Sequence, residues 1–422
     1  MPYHSAIVVL DTEIPAYGGF SLGRCEGKVV LVKGALPGER VEVRLEEQKS
    51  DFSTASTLRV IEPSPDRREP FCGLFGLCGG CHMQYASYER QVKMKEEVLR
   101  DALRRLARRE PDLSPSLVDG NPWRYRYRGQ FKVDAGKIGF YREKTRDVVD
   151  AEECPLMADP VNGGLSKARA IVREGRVPGL KEVREIHLSC GEGTVVLLKT
   201  RLAARRKKEA DILAAPFLEA GFAGVFVEDT YRRMMKYGEP FTSFSLGGLC
   251  YTVSPLSFFQ SHWRLNQEVV AFVKKVLRPL RGKNVLDLYA GAGNFSLPLA
   301  DEAYTVIAVE ENSAAIEDGK RNAERNRIGN CRFLHSSAER VVVQERVHLL
   351  ILDPPRLGLT GRTVEKVLSM MPERIAYISC NPTTLARDLR KLEARYDLES
   401  VRMIDFFPQT YHIESLTLLR MK

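Results

Sequence analysis

The run YISCNPTTLARD, residues 377–388, is apolar up to a cysteine, Cys380, and then turns at once into Asn-Pro. A packing cysteine is expected inside such a run, as a small hydrophobe. At the carboxyl end of a buried strand it stands instead where open α/β sheets bind ligands. A thiolate there is a candidate nucleophile, suited to conjugate addition. Glu414, in FPQTYHIESLTLL (407–419), opens another apolar run, and a partly desolvated carboxylate has a raised pKa suited to taking a proton. The two types fit one chemistry. A thiolate adding to C6 of a pyrimidine makes C5 electron-rich enough to take a methyl group, and a base must then remove the C5 proton before the thiol can leave.

A methyl donor needs its own site. VLDLYAGAGNFSLPLA (285–300) reads as a strand, a glycine turn and a helix start, with Gly291 and Gly293 allowing close backbone approach. Ser296 stands where a dinucleotide fingerprint has its third glycine, and Asp287 near the strand end is equally unlike that loop. Glu310 ends the next strand-like run, YTVIAVE, where an acid can hold two ribose hydroxyls. Asp353, in LILDPPRLGL, ends a third run and is stiffened by Pro-Pro. Each of these has a bland reading, as a turn or a strand end. Successive strands carrying a polar residue at the same edge favour a site.

CGLFGLCGGCHMQY places Cys72, Cys78 and Cys81 within ten residues, and Cys154 follows in EECPL. Close thiols in a chain without a secretion signal read as metal ligation rather than disulfides. Zinc and an iron–sulfur cluster both accept four thiolates. The C-x3-C-x2-C spacing of radical enzymes is absent. Cys25, Cys190, Cys250 and Cys331 have no partner pattern and read as packing residues.

These residues need elements to hold them. At 422 residues the chain exceeds one hydrophobic core. No apolar run reaches the roughly 18 residues of a membrane helix, and the N-terminal stretch lacks a signal-peptide pattern, so the expected compartment is the cytoplasm. The net charge of +9 favours a polyanionic partner. The basic residues cluster at 104–109, 124–128, 205–208 and 231–236. RYRYR (124–128) reads as a strand offering rings to bases and charge to phosphates. Residues 1–63 carry short strand-like runs between turn signals, as in an oligonucleotide-binding barrel. PSPDRREP (63–70) reads as a linker, and 87–109 as an amphipathic helix ending in cations. Strands dominate the mixed signals from Trp123 to about Val253. Beyond 258, apolar strands alternate with helical stretches, the pattern of a doubly wound parallel sheet. The expected class is α/β and multidomain: a barrel (1–63), a central α+β unit holding the cysteine cluster (64–257) and a Rossmann-like unit (258–422).

Taken together, DLYAGAGNFSLPLA, DPPRLGL, SCNPTTLARDL and FPQTYHIESLTLL resemble the RNA 5-methyluridine methyltransferases in order and spacing. The resemblance implies Cys380 as nucleophile, Glu414 as proton acceptor, and S-adenosylmethionine (SAM) bound by Gln260, Tyr289, Glu310 and Asp353, with Asn294 beside the turn. It implies a 4Fe–4S cluster on Cys72, Cys78, Cys81 and Cys154, with a structural or RNA-positioning role. The N-terminal segment resembles the TRAM domain of RNA-binding proteins. His262 departs from the asparagine usual at that position. The expected substrate is an unstacked uridine in RNA, ribosomal by family analogy, with no membrane and no obligate protein partner. Transfer RNA, cytosine C5 or an exocyclic nitrogen as target, and a non-catalytic RNA-binding protein, are the rival readings.

Overall fold

The computed structural model describes residues 6–175, 177, 179–203 and 207–422; Arg205 and Arg206 of the 205–208 cluster lie outside them. Five strands, β1 (Ile7–Ala16), β2 (Phe20–Cys25), β3 (Lys28–Lys33), β4 (Arg40–Gln48) and β5 (Phe52–Glu62), close into a barrel in the order β1-β2-β3-β5-β4. Alternate residues fill it, among them Leu10, Val30, Val32, Val41, Val43 and Ala55. The segment after it is a strap and not a loose linker. Arg67 forks onto the buried Glu39 carboxylate with bonds of 2.6 and 2.7 Å, a bidentate geometry that fixes orientation.

Helix α1 (Tyr88–Leu106) starts at Ser87, whose hydroxyl accepts the Arg90 amide. Its Val98, Leu99 and Leu103 pack into the C-terminal sheet's core. Burying each such side chain stabilises by about 1.5–3 kcal/mol, so α1 belongs physically to that sheet. The short strand β6 (Leu113–Leu117) pairs with a C-terminal strand as well, although residues 64–257 read as a separate unit from sequence. Strands β7 (Arg128–Asp134), β8 (Lys137–Tyr141), β9 (Val148–Asp150), β10 (Val183–Cys190), β11 (Thr194–Thr200), β12 (Gly224–Glu228) and β13 (Met234–Gly238) form a seven-stranded central sheet. Its core is closed by α2 (Asp159–Glu174) and α3 (Lys207–Glu219). The hairpin β14 (Thr242–Leu246) and β15 (Leu249–Val253) leads into the last unit.

There, α4 (Trp263–Leu277) precedes β16 (Asn284–Leu288), α5 (Ser296–Ala300), β17 (Thr305–Glu310), α6 (Ser313–Arg325), β18 (Cys331–His335) and β19 (Leu349–Leu352). Then come α7 (Gly361–Met370), β20 (Arg374–Ser379), α8 (Pro382–Leu392), β21 (Tyr396–Ile404) and β22 (Glu414–Met421). The sheet runs β18-β17-β16-β19-β20-β22-β21-β6, with β22 antiparallel to both neighbours. Apolar layers cover both faces: α4, α5 and α6 on one side, α1, α7 and α8 on the other. The α/β class and the barrel agree with the sequence reading. Among the described residues no helix is long and apolar enough to cross a membrane.

RYRYR is corrected. Tyr125 is 0% exposed, stacks on His262 at 4.6 Å between ring centroids, and donates its hydroxyl to the Pro408 carbonyl at 3.0 Å. Arg128 is spent on the carbonyls of Ser257 and Pro255, each at 2.6 Å. The segment ties the central unit to the C-terminal sheet and offers no free ring at Tyr125 to stack on a base.

Candidate active site

Strand β20 ends at Ser379, and its antiparallel register pairs Ser379 with Ser415 of β22. Cys380 and Glu414 each lie one residue beyond that last pair, and the Glu414 carboxyl acts on the Cys380 thiol. Immediately beyond, Asn381 caps α8 by accepting the Thr383 amide at 3.0 Å, and Pro382 occupies the first helical turn, where its missing N–H costs nothing. The Asn381 amide also donates to the Arg356 carbonyl at 3.2 Å. The Cys-Asn-Pro sequence therefore ends a strand, starts a helix and fastens the neighbouring loop while leaving the thiol half-exposed at the edge.

Four ionisable groups meet there. Burial, Glu414 and Asp353 push the Cys380 thiol up to about 11, and Arg356 pulls against them. Burial and Asp353 push Glu414 up to about 8, again opposed by Arg356. Glu414 is 7% exposed, and its Oε2 has no hydrogen-bond partner, as a group held ready for a proton would be. Burial and then Glu310 raise Asp353 to about 7. Arg356 was not singled out from the sequence, although it stands three residues after Asp353 in the same motif; it is the cation of the site. Asp388 was missed too. Its Oδ2 accepts the Leu359 amide and the Tyr377 hydroxyl, both at 2.8 Å. Gly358 makes the turn beside it at φ 71°, where a side chain would meet Asp388 at 2.5 Å.

The sheet edge at the glycine turn is internally hydrogen-bonded. Glu310 accepts the Gly291 amide at 3.0 Å with one oxygen and the Asn312 amide at 2.8 Å with the other. Ser296 donates its hydroxyl to buried Asp287 at 2.5 Å, which explains why a serine replaces the third glycine. Burial raises Asp287 to about 7. Asn294 exchanges two hydrogen bonds with Asn266 of α4, at 2.7 and 3.1 Å, so its amide braces the turn. Tyr289 takes the left-handed conformation at φ 67°, but its ring packs with the α7 side of the core. Its backbone, not its ring, lies in the turn. Gln260 lines a small cavity with Tyr127, Phe244 and Phe259. His262 caps α4 by accepting the Leu265 amide at 3.4 Å, and burial lowers its pKa to about 3. It is a neutral structural cap.

Cys72, Cys78, Cys81 and Cys154 line one cavity, walled by Leu74, Phe75, Phe140, Leu156 and Met157 and by Arg126. Among the described residues no three potential ligands are gathered as a finished site for a metal ion, so the sulfurs rim a shared space without closing on one point. The Gly80 amide donates to Cys78 Sγ at 3.4 Å. Four thiols around a largely apolar cavity, with a backbone donor to sulfur, suit an iron–sulfur cluster. All nine cysteines are free.

Residues 247–422 match the family model "tRNA (Uracil-5-)-methyltransferase", and residues 9–58 match the TRAM domain. An RNA methyltransferase of Aquifex aeolicus is 33% identical over 98% of both chains. The 23S rRNA (uracil(1939)-C(5))-methyltransferase RlmD of Pectobacterium atrosepticum is 34% identical over 95% of this chain and 90% of its own. The chain belongs to the RNA uracil-C5 methyltransferase family. The fold of this family member also matches the crystal structure of a Pyrococcus abyssi tRNA (uracil-54, C5)-methyltransferase in complex with S-adenosyl-L-homocysteine. The TM-score is 0.77 at 26% identity, over 97% of this chain and 99% of the other.

Proposed function

We propose that this enzyme transfers a methyl group from SAM to C5 of a uridine in RNA, and that the RNA is 23S ribosomal RNA. The observation that carries the chemistry is the juxtaposition of Cys380 and Glu414, each one residue beyond the last Ser379–Ser415 pair of β20 and β22, with Asp353 and Arg356 acting on both. The Cys380 thiolate, its proton already lost to solvent, forms a bond to C6, and the C5–C6 π pair moves into the ring's enolate. C5 then takes the methyl group, leaving its bonding pair on the donor's sulfur. Glu414 accepts the C5 proton, the C5–C6 double bond re-forms, and the C6–S bond breaks to free the thiolate. Glu310 and the turn at Gly291 are suited to hold the donor's ribose and backbone side. Ribosomal RNA is favoured over transfer RNA by the 34% identity to RlmD along 95% of the chain.

Cys72, Cys78, Cys81 and Cys154 are suited to hold a 4Fe–4S cluster, which would tie residues 72–81 to the start of α2. Methyl transfer needs no electron, so the chemistry does not call on it. Anaerobically purified protein is expected to be brown and to contain iron; colourless, iron-free protein removes the cluster. The decisive test of function is incubation with labelled SAM and 23S ribosomal RNA followed by nucleoside analysis. Labelled 5-methyluridine is expected, and its absence overturns the assignment.

A further inference from the structure

The barrel meets the loop before β22 through its first turn. Its β1–β2 turn, Tyr17-Gly18-Gly19, sits on the loop before β22, where a Cβ at Gly19 would lie 3.3 Å from the Tyr411 Cβ and 3.6 Å from the His82 Cβ. The Tyr17 ring stands edge-on to Tyr411 with centroids 6.0 Å apart. Tyr411 in turn packs on His82 and on His412, each at 4.5 Å. His412 Nδ1 lies 3.2 Å from the Arg356 guanidinium. Besides burial, the groups that act on the Tyr17 phenol are Arg356, Tyr411 and Cys380. An aromatic residue of the first domain thus lies within electrostatic reach of the nucleophile of the last.

A ring serving only to glue two domains would be expected to be sealed. Tyr17 is 40% exposed. Single-stranded RNA is commonly held by stacking its bases on such rings. We infer that Tyr17 forms one wall of the pocket for the target pyrimidine, so that the barrel helps position the base that reacts and does more than capture RNA. This rests on the uracil-C5 reading above.

The test is single-turnover formation of the covalent adduct with 5-fluorouridine-containing RNA in the presence of SAM, at saturating RNA, with RNA affinity measured separately. Tyr17→Ala is expected to slow adduct formation at least about tenfold, in line with the loss of a base-stacking contact, while changing RNA affinity less than about threefold. Tyr17→Phe keeps the ring and is expected to stay near the parent rate. Leu58→Ala, at an exposed barrel position, serves as the control and should match the parent. If Tyr17→Ala does not fold, Tyr17→Leu carries the test and is expected to be slowed as well. Tyr17→Ala, or Tyr17→Leu in its place, reacting at the parent rate once RNA is saturating overturns the inference. Should the parent protein itself form no adduct, the uracil-C5 reading falls instead, which keeps the two failures distinct.

Discussion

Lys95 Nζ lies 2.7 Å from Asp405 Oδ1 and 3.0 Å from the Phe407 carbonyl, with both side chains withdrawn from solvent. The pair joins α1 to the segment that leads into Glu414. Nearby, Gln91 and Gln409 exchange hydrogen bonds of 3.0 Å, and the His82 and Met83 amides both donate to the Gln409 carbonyl. The wall of the site is therefore held from outside its own sheet. Burial lowers the Lys95 pKa against the pull of Asp405, so each charge depends on the other. Lys95→Met leaves a buried carboxylate alone and is expected to cost about 3–5 kcal/mol in chemical denaturation. Lys95→Met with Asp405→Leu should recover most of that loss.

Cys380→Ala and Glu414→Gln should fail differently. Without the sulfur there is no adduct and no product, while donor affinity by calorimetry stays within about threefold of the parent. With glutamine at 414, methylation of C5 proceeds but the proton has no acceptor. That variant should accumulate a methylated RNA–protein adduct on ordinary uridine, visible as a denaturant-stable band. Its turnover should fall by about 10²–10⁴.

The raised carboxyl sets a pH dependence. Burial and Asp353 push Glu414 up to about 8, so at neutral pH its protonated, incompetent form predominates. Product release should rise as pH climbs toward 8, by about tenfold per unit on the acid limb, and level off beyond it. Adduct formation with 5-fluorouridine RNA depends on the thiol, which is pushed to about 11, and should keep rising above pH 9. Two profiles that flatten together would contradict these roles.

Arg356 is the one group among those acting on Cys380 and Glu414 whose charge favours their ionised forms. Arg356→Ala is expected to slow adduct formation about tenfold or more and to move the thiol's limb to higher pH. Arg356→Lys, which keeps the charge, should restore part of the rate. An unshifted limb in Arg356→Ala would show that the guanidinium acts on RNA instead.

The parallel strands were legible because VLDL, TVIAVE, LLIL and IAYIS are short, mostly apolar runs, as buried parallel strands require. Cys380, Glu310 and Asp353 could be found because each ends such a run. Strand β6 was not legible: LSPSL carries a proline and two serines, which an edge strand tolerates. In RYRYR the alternation suggested a solvated strand, and nothing local revealed that Pro408 and His262 would come to meet Tyr125. Tyr17 and Arg356 were out of reach for the same reason. Tyr17 meets Tyr411 from the far end of the chain, and Arg356 meets Asn381 and His412 on other elements, which no local pattern records.

The crossing of β6 and α1 into the C-terminal sheet has a practical side. Residues 258–422 contain the proposed nucleophile, the proposed acceptor and every proposed donor contact, yet excised alone they would expose the β21 edge and the apolar patch under Val98, Leu99 and Leu103. A bare strand edge beside a greasy surface invites self-association. The catalytic half cannot be lifted out as a portable cassette for grafting onto other RNA-targeting proteins unless residues 88–117 travel with it.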